Sequence, residues 1–224
     1  MNRRRPERLL LAVALLAISP LASRAENAAS TPAAVKFVEV PASAQLLAKV
    51  RQGGYVLYLR HGYTDNSRPD RVPAVDLDDC NTQRPLTEEG RQLAKRVGES
   101  IRRARLPIGE LRSSPLCRAT QTTQAAFPGK TFTTDKLLMY TANLTDAQKV
   151  PITANTRRLL SAPVDAGSNR LLVAHAPNLM DLIGYFPKEG TLVIFRPIGG
   201  RSGFVYVASI APELWSDLLR QDPK

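Results

Sequence analysis

The sequence predicts an α/β sandwich built on a largely parallel sheet. Two apolar runs, at 55–59 and 170–174, have strand length and stop abruptly on polar residues, as strands covered on both faces do. Segments with apolar residues at helical spacing separate such runs, the alternation that gives a parallel sheet flanked by helices. A late pair of runs, at 191–195 and 204–210, brackets Gly199, Gly200 and Gly203 and reads as a hairpin, which admits an antiparallel strand.

The chain opens with Arg3, Arg4, Arg5 and Arg8 ahead of an apolar core at 9–18 and small residues at 22–25, the layout of a secretory signal peptide. Cleavage is expected after Ala25, with Ser23 and Ala25 in the small-residue positions. An apolar core of about ten residues is too short to span a bilayer comfortably, so an uncleaved anchor is the weaker alternative. The three leading arginines hint at twin-arginine export, which the residues after them do not support, and no cysteine near the site offers lipid attachment. The expected organisation is a signal peptide at 1–25, a mobile linker rich in Ala, Ser, Thr and Pro at 26–41, and one domain at 42–224. The expected location is periplasmic or secreted, with no stable membrane span after cleavage.

Within the domain, Leu46, Leu47 and Val50 give a helix over 42–52 that Gly53 ends before the first strand. Residues 63–84 are polar and punctuated by Asp and Pro, a long loop of the kind that is usually functional or disordered. Thr87 caps a helix whose stripe is Leu93, Val97 and Ile101, with Glu88 and Glu89 in its first turn. A strand at 110–113 turns at Ser114, read as an N-cap, and Pro115, read as the first helical residue. Pro128 and Gly129 stop that helix; a short strand near 131–133, a helix over 152–160 and a short helix over 178–185 follow. A docking helix at 212–220 carries Trp215, Leu218 and Leu219.

The chemistry gathers at the ends of strands. The first apolar run stops on Arg60, His61 and Gly62, and the other histidine of the chain, His175, also ends a run. In open α/β sheets the carboxyl edge is where ligands bind, and arginine beside histidine offers an anion site with a nucleophile. Gly62 would let the backbone turn and approach a ligand. Arg118 would lie near a helix N-terminus, where free N–H groups already favour an anion.

These residues resemble the histidine phosphatase superfamily, which also contains cofactor-dependent phosphoglycerate mutase and bacterial phosphohistidine phosphatases. The resemblance spans roughly residues 45–212 and rests on Arg60-His61-Gly62, Pro85 to Gly90, Ser113-Ser114-Pro115-Leu116 with Arg118, and Val173-Ala174-His175, in the family's order. It implies a three-layer α/β/α fold. It also implies that His61 takes the phosphoryl group while Arg60, Arg118 and His175 surround the phosphate, His175 adding a charge-assisted hydrogen bond if protonated. No metal and no cofactor are implied, because phosphoryl transfer rests largely on positioning and electrostatics and the site supplies cations. Thr64, Asn66 and Arg84 are candidate substrate-binding residues; Arg84 serves equally to neutralise the neighbouring aspartates.

The sequence departs from the family at the proton donor. No glutamate lies between Arg118 and His175, and Ala176 stands where other members place an aspartate after the second histidine. Asp65, Asp135 and Asp146 are the candidates, with Asp165 and Glu189 behind them. Three functions compete: an exported phosphomonoesterase, an envelope phospholigand-binding protein with weak or no turnover, and a mutase, which export disfavours. In layout, exported members acting on lipopolysaccharide heptose phosphates look closest. The expected partner is a small phosphorylated substrate, with an envelope sugar phosphate among the options.

Removing residues 1–25 lowers the formal charge from +11 to +7. Without an arginine-rich run or interleaved aromatics outside the leader, nucleic acid is not an expected partner, whereas anionic substrates fit. The aspartates of the long loop lack the spacing and glycine of a calcium loop and read as a solvated acidic surface. Cys80 and Cys117, the only cysteines, either bridge in an oxidising compartment or leave Cys117 as a small core residue.

Overall fold

A computed structural model describes residues 36–72, 75–199 and 203–221. The expected signal peptide, and the linker as far as residue 35, lie outside the described residues. The compact unit begins at Lys36. Its elements in chain order are α1 (Ala44–Val50), β1 (Val56–Arg60), α2 (Glu88–Arg103), β2 (Ile108–Ser113), α3 (Cys117–Ala126), β3 (Thr133–Thr134), α4 (Asp146–Ser161), β4 (Asn169–Ala174), α5 (Ala176–Ile183), β5 (Leu192–Gly199), β6 (Gly203–Ile210) and α6 (Trp215–Gln221).

The six strands form one sheet in the order β3-β2-β4-β1-β5-β6. The first four run parallel, while β5 and β6 are antiparallel, so the expected hairpin closes one side of the sheet. Strand parity divides the core. Leu57 and Leu59 of β1, with Leu171 and Val173 of β4, face a layer built from α1, α2, α3 and α6. Val56 and Tyr58, with Leu172 and Ala174, face α4 and α5 on the other side. This is the three-layer sandwich.

Helix α2 shows why the pattern was readable: Leu93, Val97 and Ile101 are buried, and the Thr87 side chain accepts from the Gly90 N–H. Helix α4 starts before the expected 152, because Thr145 and Gln148 form a capping box that organises a first turn ahead of Pro151. The linker needs a correction too. Phe37 stacks on Tyr185 at 4.3 Å, Tyr185 donates to Glu39 at 2.6 Å, and Val40 and Ala42 bond Ser209 of β6, so residues 37–41 belong to the domain. Phe37 stands among Val38 and Val40 in a run too short to signal that docking.

Candidate active site

Three adjacent parallel strands end together. The Ser114 N–H donates to the Val173 carbonyl at 2.8 Å and the His61 N–H to the Ala174 carbonyl at 3.1 Å, which sets Ser114, His175 and His61 side by side at the carboxyl edge. The two imidazole centroids are 5.3 Å apart. His61 Nδ1 lies 2.8 Å from the Gly62 carbonyl, an acceptor only, so Nδ1 carries the proton and Nε2 keeps its lone pair. The backbone of His175 is clamped by Tyr58, whose hydroxyl donates to the His175 carbonyl at 2.8 Å and accepts from its N–H at 3.1 Å. His175 Nε2 sits 2.7 Å from Ser114 Oγ. The Ser114 hydroxyl has no other acceptor among the described residues, so its proton goes to Nε2 and the ring proton falls on Nδ1, which is buried without a partner.

Burial, then the charge of Arg118, pushes the pKa of both histidines well below the ordinary value. His175 is therefore neutral near pH 7, whereas the sequence reading allowed it a charge.

Three guanidinium groups act electrostatically on both rings. Arg118, the second residue of α3 and 0% exposed, gives Nη1 and Nη2 to the two carboxylate oxygens of Asp70 at 2.8 and 3.2 Å. Arg60 donates Nη1 to the Pro187 carbonyl at 2.6 Å, and its Nη2 lies 3.5 Å from Glu189. Arg84 donates Nη1 to Asn66 at 3.0 Å. In all three, Nε is buried and has no partner. Tyr140 spans the group, its ring 5.0 Å from the Arg118 guanidinium, 5.8 Å from that of Arg84 and 5.6 Å from the His175 ring.

The other candidates fall into two sets. Thr64 is buried and donates to Glu189 at 3.1 Å, while Asn66 is exposed and reaches the site only by holding Arg84. The three candidate acids are misplaced. Asp65 folds back on the Ser67 hydroxyl and N–H, which hold its carboxyl below the usual range and keep it ionised. Asp135 caps a 3-10 turn through the Leu137 N–H at 2.9 Å and accepts from Asn155 at 3.1 Å. Asp146 lies in the first turn of α4, in a surface cavity shared with Lys149 and Asp181. Asp165 precedes β4, at the opposite end of the strand from His175. Of these candidate acids it is Glu189 that reaches an arginine of the site, in a cavity of about 310 Å³ lined also by Arg60, Tyr63 and Lys188.

Two local expectations need amending. Ser114 does not cap α3, which starts at Cys117 after Leu116 and has no side-chain cap; the hydroxyl is engaged with His175 instead. Gly62 serves a close approach, but to protein rather than ligand, since a Cβ there would lie 2.4 Å from the Gly90 carbonyl oxygen at the start of α2. Cys80 and Cys117 are bridged, with Cα atoms 5.7 Å apart. Beside the bridge the Cys117 N–H donates to the Gln83 side chain at 2.7 Å, so the long loop is fastened to the helix that carries Arg118. Tyr140 and Asp70, which sequence reasoning passed over, carry no motif: one lies in an unpatterned connection, the other among several similar aspartates.

Residues 56–139 match the model of the histidine phosphatase superfamily, branch 1. A search of curated protein sequences finds no match. Among solved structures, a mycobacterial hydrolase 1 is similar at 18% identity and a TM-score of 0.52, covering 70% of this chain and 98% of its own. A mycobacterial glucosyl-3-phosphoglycerate phosphatase, solved with VO3, is similar at 17% identity and a TM-score of 0.50, covering 70% and 100%. Both share the fold. The matched stretch runs from β1, which delivers Arg60 and His61, through Arg118 on α3 to the residue before Tyr140, and over it this chain is similar to the histidine phosphatase superfamily.

Proposed function

We propose that the protein is an exported phosphatase that hydrolyses phosphomonoesters through a phosphohistidine on His61, without a metal ion. One observation carries this reading: beside a neutral imidazole with a free Nε2 lie four buried donors without partners, Arg60 Nε, Arg84 Nε, Arg118 Nε and His175 Nδ1. Unpaired buried donors are costly, and a phosphoryl group supplies the acceptor oxygens that they lack. The expected machinery is amended in two places: His175 acts as a neutral donor, and Glu189 is the proton donor in place of Asp65, Asp135 and Asp146.

In the first step, with Glu189 protonated in the substrate complex, His61 Nε2 attacks phosphorus in line, the P–N bond forms, the ester P–O bond breaks and the departing oxygen takes the Glu189 proton, leaving a carboxylate. In the second, Glu189 accepts a proton from water as that water attacks phosphorus. The P–N bond breaks, its electron pair returns to His61, and inorganic phosphate leaves. The arginines neutralise charge on the phosphoryl oxygens throughout, while His175 Nδ1–H adds a neutral donor.

A binding-only reading is favoured by one observation: the expected proton donors Asp65, Asp135 and Asp146 are engaged with Ser67, Leu137 and a helix start rather than with the histidines. Turnover separates the two. Residues 26–224, purified and treated with chelator, should release phosphate from 4-nitrophenyl phosphate and from a subset of sugar phosphates, nucleotides, phosphohistidine and lipid-linked phosphates. His61→Ala should lose at least about a thousandfold in turnover, roughly 4 kcal/mol of transition-state stabilisation, yet still bind inorganic phosphate. Label from substrate should be trapped on His61 as a base-stable, acid-labile adduct. Label on a serine or aspartate, or activity that chelator abolishes and zinc or magnesium restores, would sink the mechanism. Export rests on the leader layout, and a precursor expressed in a bacterium should lose about 25 residues and reach a soluble extracytoplasmic fraction.

A further inference from the structure

We propose that Asp70 is a positioning residue for phosphoryl transfer: it grips the outer end of the Arg118 guanidinium and thereby leaves the Nε edge to the phosphoryl group. The inference rests on the phosphatase reading and goes beyond it, since the family motifs do not include this aspartate.

A guanidinium has an end-on edge, formed by Nη1 and Nη2, and a side edge that includes Nε. Asp70 takes the end-on edge of Arg118 with both oxygens, at 2.8 and 3.2 Å. Nε is buried and unpaired. An anion arriving at the side edge finds a free donor and displaces nothing. An anion seeking the end-on edge would have to expel Asp70, whose side chain is 7% exposed and would be left as a buried, unpaired charge.

One further contact holds the carboxylate itself, and three more fasten the loop that carries it. Its Oδ1 also accepts the Arg84 N–H at 2.8 Å, so one aspartate ties together the second arginine and the backbone of the third. The Arg71 N–H donates to the Thr82 carbonyl at 2.9 Å, closing the loop on itself next to Asp70. The Cys80–Cys117 bridge and the Gln83 to Cys117 hydrogen bond then join this loop to the residue before Arg118. Arg60 repeats the arrangement with a different partner, its Nη1 held by the Pro187 carbonyl while Nε stays free. The alternative role, a carboxylate that competes with phosphate for Arg118, predicts the opposite response to its removal.

The test compares wild type, Asp70→Asn, Asp70→Glu, Arg118→Ala and the Asp70→Asn/Arg118→Ala double variant. Inorganic phosphate binding is measured by calorimetry, turnover with 4-nitrophenyl phosphate, and folding by thermal melting. Asp70→Asn should lower kcat by about 10- to 100-fold, the penalty of a misplaced catalytic group, with a smaller change in KM and weaker phosphate binding. Asp70→Glu should recover part of kcat. In the Arg118→Ala background, Asp70→Asn should cost little more, because the two act as one unit. Equal or tighter phosphate binding with undiminished kcat in Asp70→Asn overturns the proposal, as does a full further loss in the Arg118→Ala background. Should Asp70→Asn melt early, Asp70→Glu, which keeps the charge, decides: a folded Glu variant with kcat unrelated to Arg118 in the same cycle overturns it. A wild type that neither binds phosphate nor turns over overturns the phosphatase reading itself, a result distinct from all of these.

Discussion

In the proposed mechanism Glu189 ties the proton chemistry to one side chain. It accepts from Thr64 at 3.1 Å and lies 3.5 Å from Arg60, and at 21% exposure it is reached from the adjoining cavity. A proton donor matters in proportion to the basicity of the group it protonates. Glu189→Gln should therefore reduce turnover of alkyl phosphates by about 100-fold or more while reducing that of 4-nitrophenyl phosphate far less, general acid catalysis being worth roughly 10²–10⁴. Equal losses on both substrates would remove Glu189 from that role. At this scale the sequence was legible wherever a residue sits in a motif fixed by a strand end: Arg60, His61, Arg118 and His175 are brought to one edge. The acid was not legible, because a carboxylate's use depends on which partners it meets. Asp65, Asp135 and Asp146 meet Ser67, Leu137 and a helix start, whereas Glu189, on the turn before β5, meets Arg60.

Between β1 and α2 the chain makes its longest excursion, and the Cys80–Cys117 bridge, spanning 37 residues, returns it to the start of α3. Cys80→Ser/Cys117→Ser should lower unfolding stability by about 2–4 kcal/mol, read as a shift in denaturant midpoint at constant slope. Its effect on turnover should be larger than on the rest of the fold's integrity, since the loop holds Asp70 and Arg84. Normal stability together with normal kcat would show that the Gln83 contact alone secures the loop. Element existence and type were readable from periodicity, as Leu93, Val97 and Ile101 of α2 show; element boundaries were not, where side chains are recruited elsewhere. Ser114 has the chemistry of an N-cap and spends it on His175, so α3 opens at Cys117 instead. Gly62 has the freedom to approach a ligand and uses it to let α2 in against β1 at Gly90.

For the molecule as a whole, the parallel order β2-β4-β1 buries both histidines of the chain at one edge, and that burial makes stability depend on pH in a definite sense. Both native pKa values lie well below the ordinary 6.5, through burial first and Arg118 second. Above that value the imidazoles are neutral in the folded and the unfolded chain, and pH has no leverage through them. As pH falls below about 6.5 the unfolded chain takes up protons that the folded chain refuses, so folding stability declines, by up to about 1.4 kcal/mol per pH unit for each histidine. Carboxylates respond lower: Glu110, which burial raises but Arg112 and Arg170 hold below its ordinary value, contributes stability that is lost only in the acid range beneath 4.5. Urea unfolding between pH 7.5 and 5 should therefore show stability falling steadily towards pH 5. Inorganic phosphate should flatten that fall, because an anion among Arg60, Arg84 and Arg118 offsets the field that keeps His175 uncharged and lets the folded chain bind a proton too. A phosphate-free profile that stays level to pH 5 would show that a histidine is already charged in the native site, and with it that the neutral His61 required for attack is not the resting form.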